Sequence, residues 1–239
     1  MRIHIGTSGW HYDHWRKVFY PKELKKEEWL KYYARHLSTV EINNSFYRLP
    51  SEKTLREWRD IVPDDFIFSV KASRYITHVK KLKDPSETVP PLLDRIQLLE
   101  DHLGPILFQL QPSWKRNHDR LAAFLEYLPG EFRYAFEFRH QSWFVPEIYH
   151  LLSNHNSAFC IYELDGLLSP KEITGQFAYI RLHGPDGPYR GSYDTKTLAG
   201  WAGACSAWSR SGTEVFCYFD NDDSGYAPLN ARELTDMIR

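Results

Sequence analysis

The chain has 239 residues, 42% of them hydrophobic and 15% aromatic, with 30 basic against 31 acidic side chains and a formal net charge of -1. This length suits one large α/β domain or two small ones, and the charge balance excludes an overall polycation built for nucleic acid, though not a local basic groove. No apolar run approaches the roughly 20 residues that span a bilayer, and the N-terminus enters a strand with no room for a signal peptide, so a cytoplasmic protein without membrane segments is expected.

The first predicted strand is Arg2 to Ile5, followed by a glycine-rich turn, Gly6 to Trp10, and a helix with Trp29, Leu30, Tyr33 and Leu37 on one stripe. The second is Thr39 to Asn43, and Ser51 is placed to cap the next helix, which carries Leu55, Trp58 and Val62. The third is Phe66 to Ala72. A polar segment from Arg74 to Pro90 then leads to a helix bearing Leu92, Leu93, Ile96, Leu99 and Leu103, stopped by Gly104-Pro105. The fourth strand is Ile106 to Gln111, with Asn117 capping a helix that ends at Pro129-Gly130. The fifth is the stretch Arg133 to Trp143, and Pro146 opens a short helix. The sixth is Ala158 to Tyr162, where Gly166, Pro170 and Gly175 break any long helix in the crossover. The seventh is Phe177 to His183, followed by a helix with Leu198, Trp201, Cys205 and Trp208. The eighth is Val215 to Asp220, and a last helix runs from Pro228 to Arg239.

Eight strands alternating with helical segments, uninterrupted by repeats or linkers, predict a single domain over 1–239: an α/β fold, the (β/α)8 TIM barrel, irregular after the sixth strand. A doubly wound open sheet is the rival, but it normally brings a G-x-G-x-x-G loop, and Gly6-Thr-Ser-Gly9 is not one. Cys160, Cys205 and Cys217 are odd in number and lack metal-ligand spacing, which reads as reduced, buried thiols.

Period two separates the strand faces. Val40/Ile42, Phe68/Val70, Ile106/Phe108/Leu110, Phe136/Phe138, Ile180/Leu182 and Val215/Cys217/Phe219 suit the helix-facing side. Their alternates are Glu41/Asn43, Ser69/Lys71/Ser73, Gln109/Gln111, Glu137/Arg139, Arg181/His183 and Tyr218/Asp220, gathered toward the strand C-terminal halves where barrel enzymes place their chemistry. Isolated buried charges cost several kcal/mol each, so these must pair with one another, face a ligand, or both.

The candidate catalytic set is Glu137, Glu41, His183 and Asp220: Glu137 or Glu41 as acid or base with His183 assisting, or equally a hydrogen-bonded structural histidine. Lys71, Arg139 and Arg181 suit an anionic group, Asn43, Gln109 and Asn221 suit hydroxyls, and Trp10, Tyr47 and Trp143 follow strand ends as stacking walls, each with core packing as its plainer alternative. Asp220-Asn-Asp-Asp223 offers hard oxygen ligands, making Asp222 the candidate for a divalent metal against the alternative of an Asx-rich turn. No P-loop, H-E-x-x-H, paired C-x-x-C or Ser-His-Asp order is present.

Several blocks resemble the YecE-like family, a domain of unknown function: Ile5-Gly-Thr-Ser-Gly-Trp10, Thr39-Val-Glu-Ile-Asn43 with Phe46-Tyr-Arg-Leu-Pro50, Phe68-Ser-Val-Lys-Ala-Ser73 with Thr77-His78, and Leu107-Phe-Gln-Leu110. Phe136-Glu-Phe-Arg-His140 with Ser142-Trp143, Arg181-Leu-His-Gly184, Asn221-Asp222 with Gly225-Tyr-Ala, and Asn230-Ala231 continue the match in the same order. The resemblance implies a TIM-type barrel, distantly similar to metal-dependent barrel enzymes of the xylose isomerase and endonuclease IV type. Lys17 departs from it where glycine is usual, Gln111 and Gln141 where prolines are common, and Asp220 where asparagine is expected. Asp220 either favours a cation or pairs with a lumen arginine.

The sequence therefore points to a hydrolase or lyase acting on a small phosphorylated or sugar-like ligand at the C-terminal barrel mouth, with a divalent metal left open as cofactor. Two alternatives stand beside it. One is a nucleic-acid binding or processing protein gripping its partner through Arg74 to Lys83 and the mouth aromatics. The other is a non-catalytic ligand-binding barrel.

Overall fold

The computed structural model describes residues 3–238. Arg2 and Arg239, expected in the first strand and last helix, lie outside them. Eight parallel strands form a closed ring: β1 (Ile3–Ser8), β2 (Thr39–Ile42), β3 (Ile67–Lys71), β4 (Leu103–Gln109), β5 (Tyr134–Glu137), β6 (Ala158–Leu164), β8 (Phe177–Leu182) and β9 (Glu214–Phe219). β5 pairs with β6, and β9 pairs with β1 to complete it. A two-residue arm, β7 (Leu167–Leu168), runs antiparallel to the end of β6. The crossover from there to β8 holds no helix, as Gly166, Pro170 and Gly175 predict. This is the TIM-type α/β barrel expected from the alternation.

The two strand faces have become two separate hydrophobic clusters. Val40, Ile42, Phe68, Val70, Phe108, Phe136, Ile180, Leu182, Val215 and Phe219 join the outer one, against the helices. Leu107, Ala135, Cys160, Phe177, Tyr179, Phe216 and Tyr218 fill the inner one, around the axis. Burying one large apolar side chain is worth roughly 1.5–3 kcal/mol. A one-residue slip of any strand would exchange its faces, so register is strongly specified. All three cysteines are free and buried; Cys160 faces the lumen and Cys217 the helices.

Helix starts follow the expected caps. Ser51 Oγ accepts from Thr54 N (3.1 Å) at the head of α2 (Glu52–Ile61). Asn117 Oδ1 accepts from Arg120 N (3.0 Å) at the head of α5 (His118–Tyr127).

Two stretches differ from expectation. β1 extends to Ser8, so Gly6-Thr7-Ser8 is strand and not turn. A Cβ on Gly6 would sit 2.0 Å from the Thr39 carbonyl oxygen, so only glycine allows β1 this close to β2. β4 begins at Leu103 and carries Gly104 and Pro105 inside it. The helix instead ends through Glu100, whose φ of 51° and ψ of -128° leave the helical region. Pro105 has no N–H for the ladder, and the β3–β4 register shifts beside it. The segment after Ser73 is not wholly loop, since Tyr75–Val79 forms a π-helical turn. Lys17, where the resemblance leads one to expect glycine, adopts a φ of 65°, the left-handed region that glycine enters without strain.

Candidate functional site

Register carries the polar residues to one level. Ser8 lies beside Glu41, and Arg181 beside Tyr218, while Asn43 and Lys71 each follow the paired residues Ile42 and Val70. The result is a buried ionic ring centred on Arg181, itself 1% exposed, with Glu41, Glu137 and His183 at 0%.

Arg181 Nη1 donates to Glu137 Oε2 (2.9 Å), and Nη2 donates to Glu41 Oε1 (2.8 Å), Asp220 Oδ2 (3.1 Å) and Ser8 Oγ (2.9 Å). Arg139 Nε donates to Glu137 Oε1. Glu41 Oε2 accepts from the Tyr179 hydroxyl (2.6 Å). Burial alone would raise the Glu137 pKa, but the guanidiniums of Arg139 and Arg181 outweigh it and hold the carboxyl well below its ordinary range. Asp220 is held low in the same way, burial being outweighed by Arg181 and His183. Of the two roles open to Asp220, pairing with a lumen arginine is the one seen.

His183 Nε2 accepts from Arg139 Nη2 (3.1 Å) and lies 3.3 Å from Arg181 Nη1. Guanidiniums only donate, so Nε2 carries the lone pair and the proton sits on Nδ1, 3.0 Å from Asp220 Oδ2. Burial and then Arg181 lower its pKa. This is a neutral histidine with its basic nitrogen aimed at two cations, a poor general base in this state. Tyr189 closes over it, with ring centroids 5.6 Å apart. Gly184 permits that fold-back at a φ of 112°, where a Cβ would lie 2.2 Å from the Arg190 carbonyl oxygen.

Lys71 is the exception in the ring. Among the described residues its ammonium has no hydrogen bond or ion pair and rests 4.5 Å over the Phe46 ring. Burial and the neighbouring Arg181 lower its pKa to about 8, against the opposing pull of Glu41, Glu137 and Asp220. Among the described residues five polar atoms here are buried without a hydrogen-bond partner of good geometry: Arg181 Nε, His183 Nδ1, Asn221 Oδ1, Asn43 Oδ1 and the Tyr162 hydroxyl, whose ring lies 5.0 Å under the Arg139 guanidinium.

The structure thus brings together Glu41, Asn43, Lys71, Glu137, Arg139, Arg181, His183 and Asp220. Gln109 ends β4 at the same level, half-buried and level with Glu137 on β5. Trp10 lines a small cavity beside Asn43. Other expected contacts lie elsewhere. Trp143 is fully buried, stacked on Phe138 at 4.7 Å and donating its indole N–H to Trp114 O (2.7 Å), so it is core and not a wall of the site. Tyr47 is 77% exposed and borders an outer groove with Arg48 and Arg95. Asn221 is fully buried and donates to Gly191 O and Asn230 Oδ1 (both 2.8 Å), tying the loop after β8 to α8 (Tyr226–Ile238).

Asp222, the metal candidate, accepts from the Trp15 indole and lies 3.2 Å from His14 Nε2; burial raises its pKa to about 6. It braces the loop after β1. Among the described residues no group of three or more His, Cys, Asp and Glu is placed to hold a metal ion. In the Arg74–Lys83 segment, Lys80 is paired with Asp84 (2.8 Å) and lies over Tyr75. No helix among the described residues is long and apolar enough to cross a membrane.

Ser8, Tyr162, Tyr179 and Trp58 were not singled out by pattern. Ser8 was hidden by reading Gly6–Ser8 as turn; Tyr162 and Tyr179 carry no charge to mark their alternation.

A family model described as "Protein of unknown function DUF72" matches residues 4–239. The UPF0759 protein YecE of Escherichia coli K12 is 33% identical over 144 residues, 60% of this chain and 50% of that protein, so the chain spans about half the length of this relative. The UPF0759 protein YunF of Bacillus subtilis is 24% identical over 99% of this chain and 94% of its own. A crystal structure of a DUF72 family protein from Thermotoga maritima superposes with a TM-score of 0.90 at 31% identity, covering 100% of this chain and 99% of that one.

Proposed function

We propose, on the premise that this chain belongs to the DUF72 family, that the C-terminal mouth of its barrel is the site of an enzyme acting on a small anionic substrate. Lys71 is its anion-contacting and proton-transferring group. The observation that carries this reading is the Lys71 ammonium, which among the described residues has neither hydrogen bond nor ion pair, beside Glu41, Glu137, Arg139, Arg181 and Asp220, which are joined in ion pairs. A half-buried ammonium with neither hydrogen bond nor ion pair among the described residues is free to take up an anion from the mouth of the barrel.

A pKa near 8 lets Lys71 exchange its proton close to neutrality. Glu137, clamped by two guanidiniums, and His183, facing them, are poorer proton carriers and better positioning groups. Arg181 commits both Nη atoms to the ring, which leaves Arg139, 6% exposed along its side chain, as the second cation facing a ligand. A hydrolase or lyase is favoured over a redox enzyme because no dinucleotide fingerprint is present.

Calorimetric titration with inorganic phosphate tests the reading. Saturable binding that falls at least tenfold in Lys71→Met is expected; phosphate affinity unchanged by that substitution would reject Lys71. A panel of phosphoesters and hydroxy acids then assays turnover, which should disappear in Lys71→Met and survive in Trp143→Phe.

A further inference from the structure

We infer that the ligand is bipartite, its anionic group at Lys71 and a hydroxylated ring seated in a cavity beside it: the chemistry of a sugar phosphate. The inference rests on the reading of Lys71 above and adds the second half of the ligand. The cavity holds about 200 Å³ between the loops that follow β1 and β2, with Trp10, Tyr12, Trp58 and Asn43 in its walls.

Ser8 fixes the orientation of the Asn43 amide. Its hydroxyl donates to Glu41 Oε1 and accepts from Arg181 Nη2 (2.9 Å) and Asn43 Nδ2 (2.6 Å). A hydroxyl has one proton and two lone pairs, so this set is complete. Asn43 must therefore turn its NH2 to Ser8; the flipped amide would set a carbonyl oxygen against a hydroxyl with no proton left to give. Asn43 Oδ1 is left buried without a partner. An unmet buried acceptor is unfavourable, and a ligand O–H or N–H that reaches it from the cavity would supply the missing partner.

The rest of the wall says what bears that donor. The Trp10 and Trp58 rings meet edge to face, with centroids 4.8 Å apart. No carboxylate, lysine or arginine lines the cavity, and burial and then Lys26 lower the pKa of His11, its one titratable imidazole. A charged group has no partner there. A ring with apolar C–H faces and outward hydroxyls fits both the indoles and the unmet acceptor.

Size narrows the choice, because whole drug-sized ligands occupy roughly 300–1,000 Å³. About 200 Å³ matches one ring better than a whole nucleotide or peptide. Position links the two halves: Asn43 and Lys71 follow the paired residues Ile42 and Val70 on adjacent strands. The turn Asn44–Phe46 borders the cavity at Asn44 and underlies the Lys71 ammonium at Phe46.

Titration calorimetry on the full chain with three probes tests this: inorganic phosphate, methyl glucoside, and glucose 6-phosphate with ribose 5-phosphate as its smaller-ring counterpart. At least one sugar phosphate should bind tenfold or more tightly than phosphate. Asn43→Ala and Trp58→Leu should each remove that advantage; Trp58→Leu, which stands outside the ionic ring, should do so while leaving phosphate affinity within twofold, and it serves should Asn43→Ala fail to fold. Phosphate that binds with no gain from either sugar overturns the inference and leaves the Lys71 reading intact, as does a Trp58→Leu variant that keeps the full gain. Methyl glucoside binding where phosphate does not overturns the Lys71 reading and upholds the ring subsite. Binding by none of the probes overturns both.

Discussion

The two ends of the barrel lumen solve one electrostatic problem in different ways. At the N-terminal end, Glu214 accepts from Arg133 Nη1 (2.8 Å) and lies 3.0 Å from His4 Nε2, while His4 stacks on Phe216 at 4.7 Å and the Arg133 guanidinium lies over the same ring. These side chains are 19–35% exposed and water shares their solvation. At the C-terminal end, Glu41, Glu137 and Arg181 have no such relief, and among the described residues Lys71 has neither hydrogen bond nor ion pair, only the Phe46 ring beneath its ammonium. Tyr179, Tyr218, Phe177 and Phe216 fill the space between. Paired, half-solvated charges suit a stabilising rim. A sealed ring with an unmatched lysine and orphaned acceptors suits recognition, since a ligand supplies what the fold leaves out.

The sharpest way to break this contrast is to remove its hub. Arg181→Met leaves Glu41, Glu137 and Asp220 facing one another without the cation that joins them. Removing one partner of a buried ion pair costs roughly 3–5 kcal/mol, and three carboxylates share this partner. Urea denaturation should show a loss at or above that range. A loss under 1 kcal/mol would mean that the ring is solvated like the lower rim.

The second test is acid. Glu137 and Asp220 have folded-state pKa values below their ordinary 4.5 and 3.8. Depressed pKa values contribute stability that is complete above the unfolded-state values and is lost as pH falls toward the folded ones. The contribution of these two carboxyls should therefore be complete above about pH 5, and denaturation midpoints should fall steadily below it. Glu137→Gln should flatten that slope while lowering stability at neutral pH. An unaltered acid slope in the variant would show that Glu137 is not the titrating group.

Lys71 sharpens the comparison from the opposite side. Its folded pKa near 8 lies below the ordinary 10.5, so between those values the unfolded chain binds more protons and stability rises with pH. Below pH 8 the buried charge opposes folding. Lys71→Met should raise stability at pH 7 by roughly 1 kcal/mol, the usual direction when a functional residue is replaced by a compatible apolar one, while anion binding is lost. A destabilised Lys71→Met would show that the ammonium has a structural partner.

Much of this contrast could be read from the chain. Strict alternation along the strands places Glu41, Lys71, Glu137, Arg139, Arg181, His183 and Asp220 on the lumen side, because buried apolar neighbours leave a strand only one register. Pairing within the ring was not legible. Glu137 and Arg139 are two residues apart, but Arg181 reaches Glu41 across 140 positions, and strand stagger decides which carboxylates it meets. Gly6 and Pro105 misled for one reason: both usually end strands, yet here a close approach to Thr39 and an irregular β3–β4 register keep them inside. The tie from Asp222 to Trp15 spans 207 residues and has no local signature, so the bracing contact that this acidic run makes with the loop after β1 could not be read from the chain.

The smallest effect is expected at the lower rim, and it completes the contrast. Arg133→Met removes an ion pair that is partly open to water, but the methionine can keep an apolar contact over Phe216 where the guanidinium now lies 5.1 Å from the ring. Exposed pairs contribute roughly 0.2–1 kcal/mol, and His4 remains beside Glu214 to share its charge. The denaturation midpoint should therefore move by less than 1 kcal/mol, in high salt even less, and phosphate affinity at the opposite mouth should be unchanged. A loss matching that of Arg181→Met would mean that exposure does not separate the two ends, and the distinction between a stabilising rim and a recognition ring would fail with it.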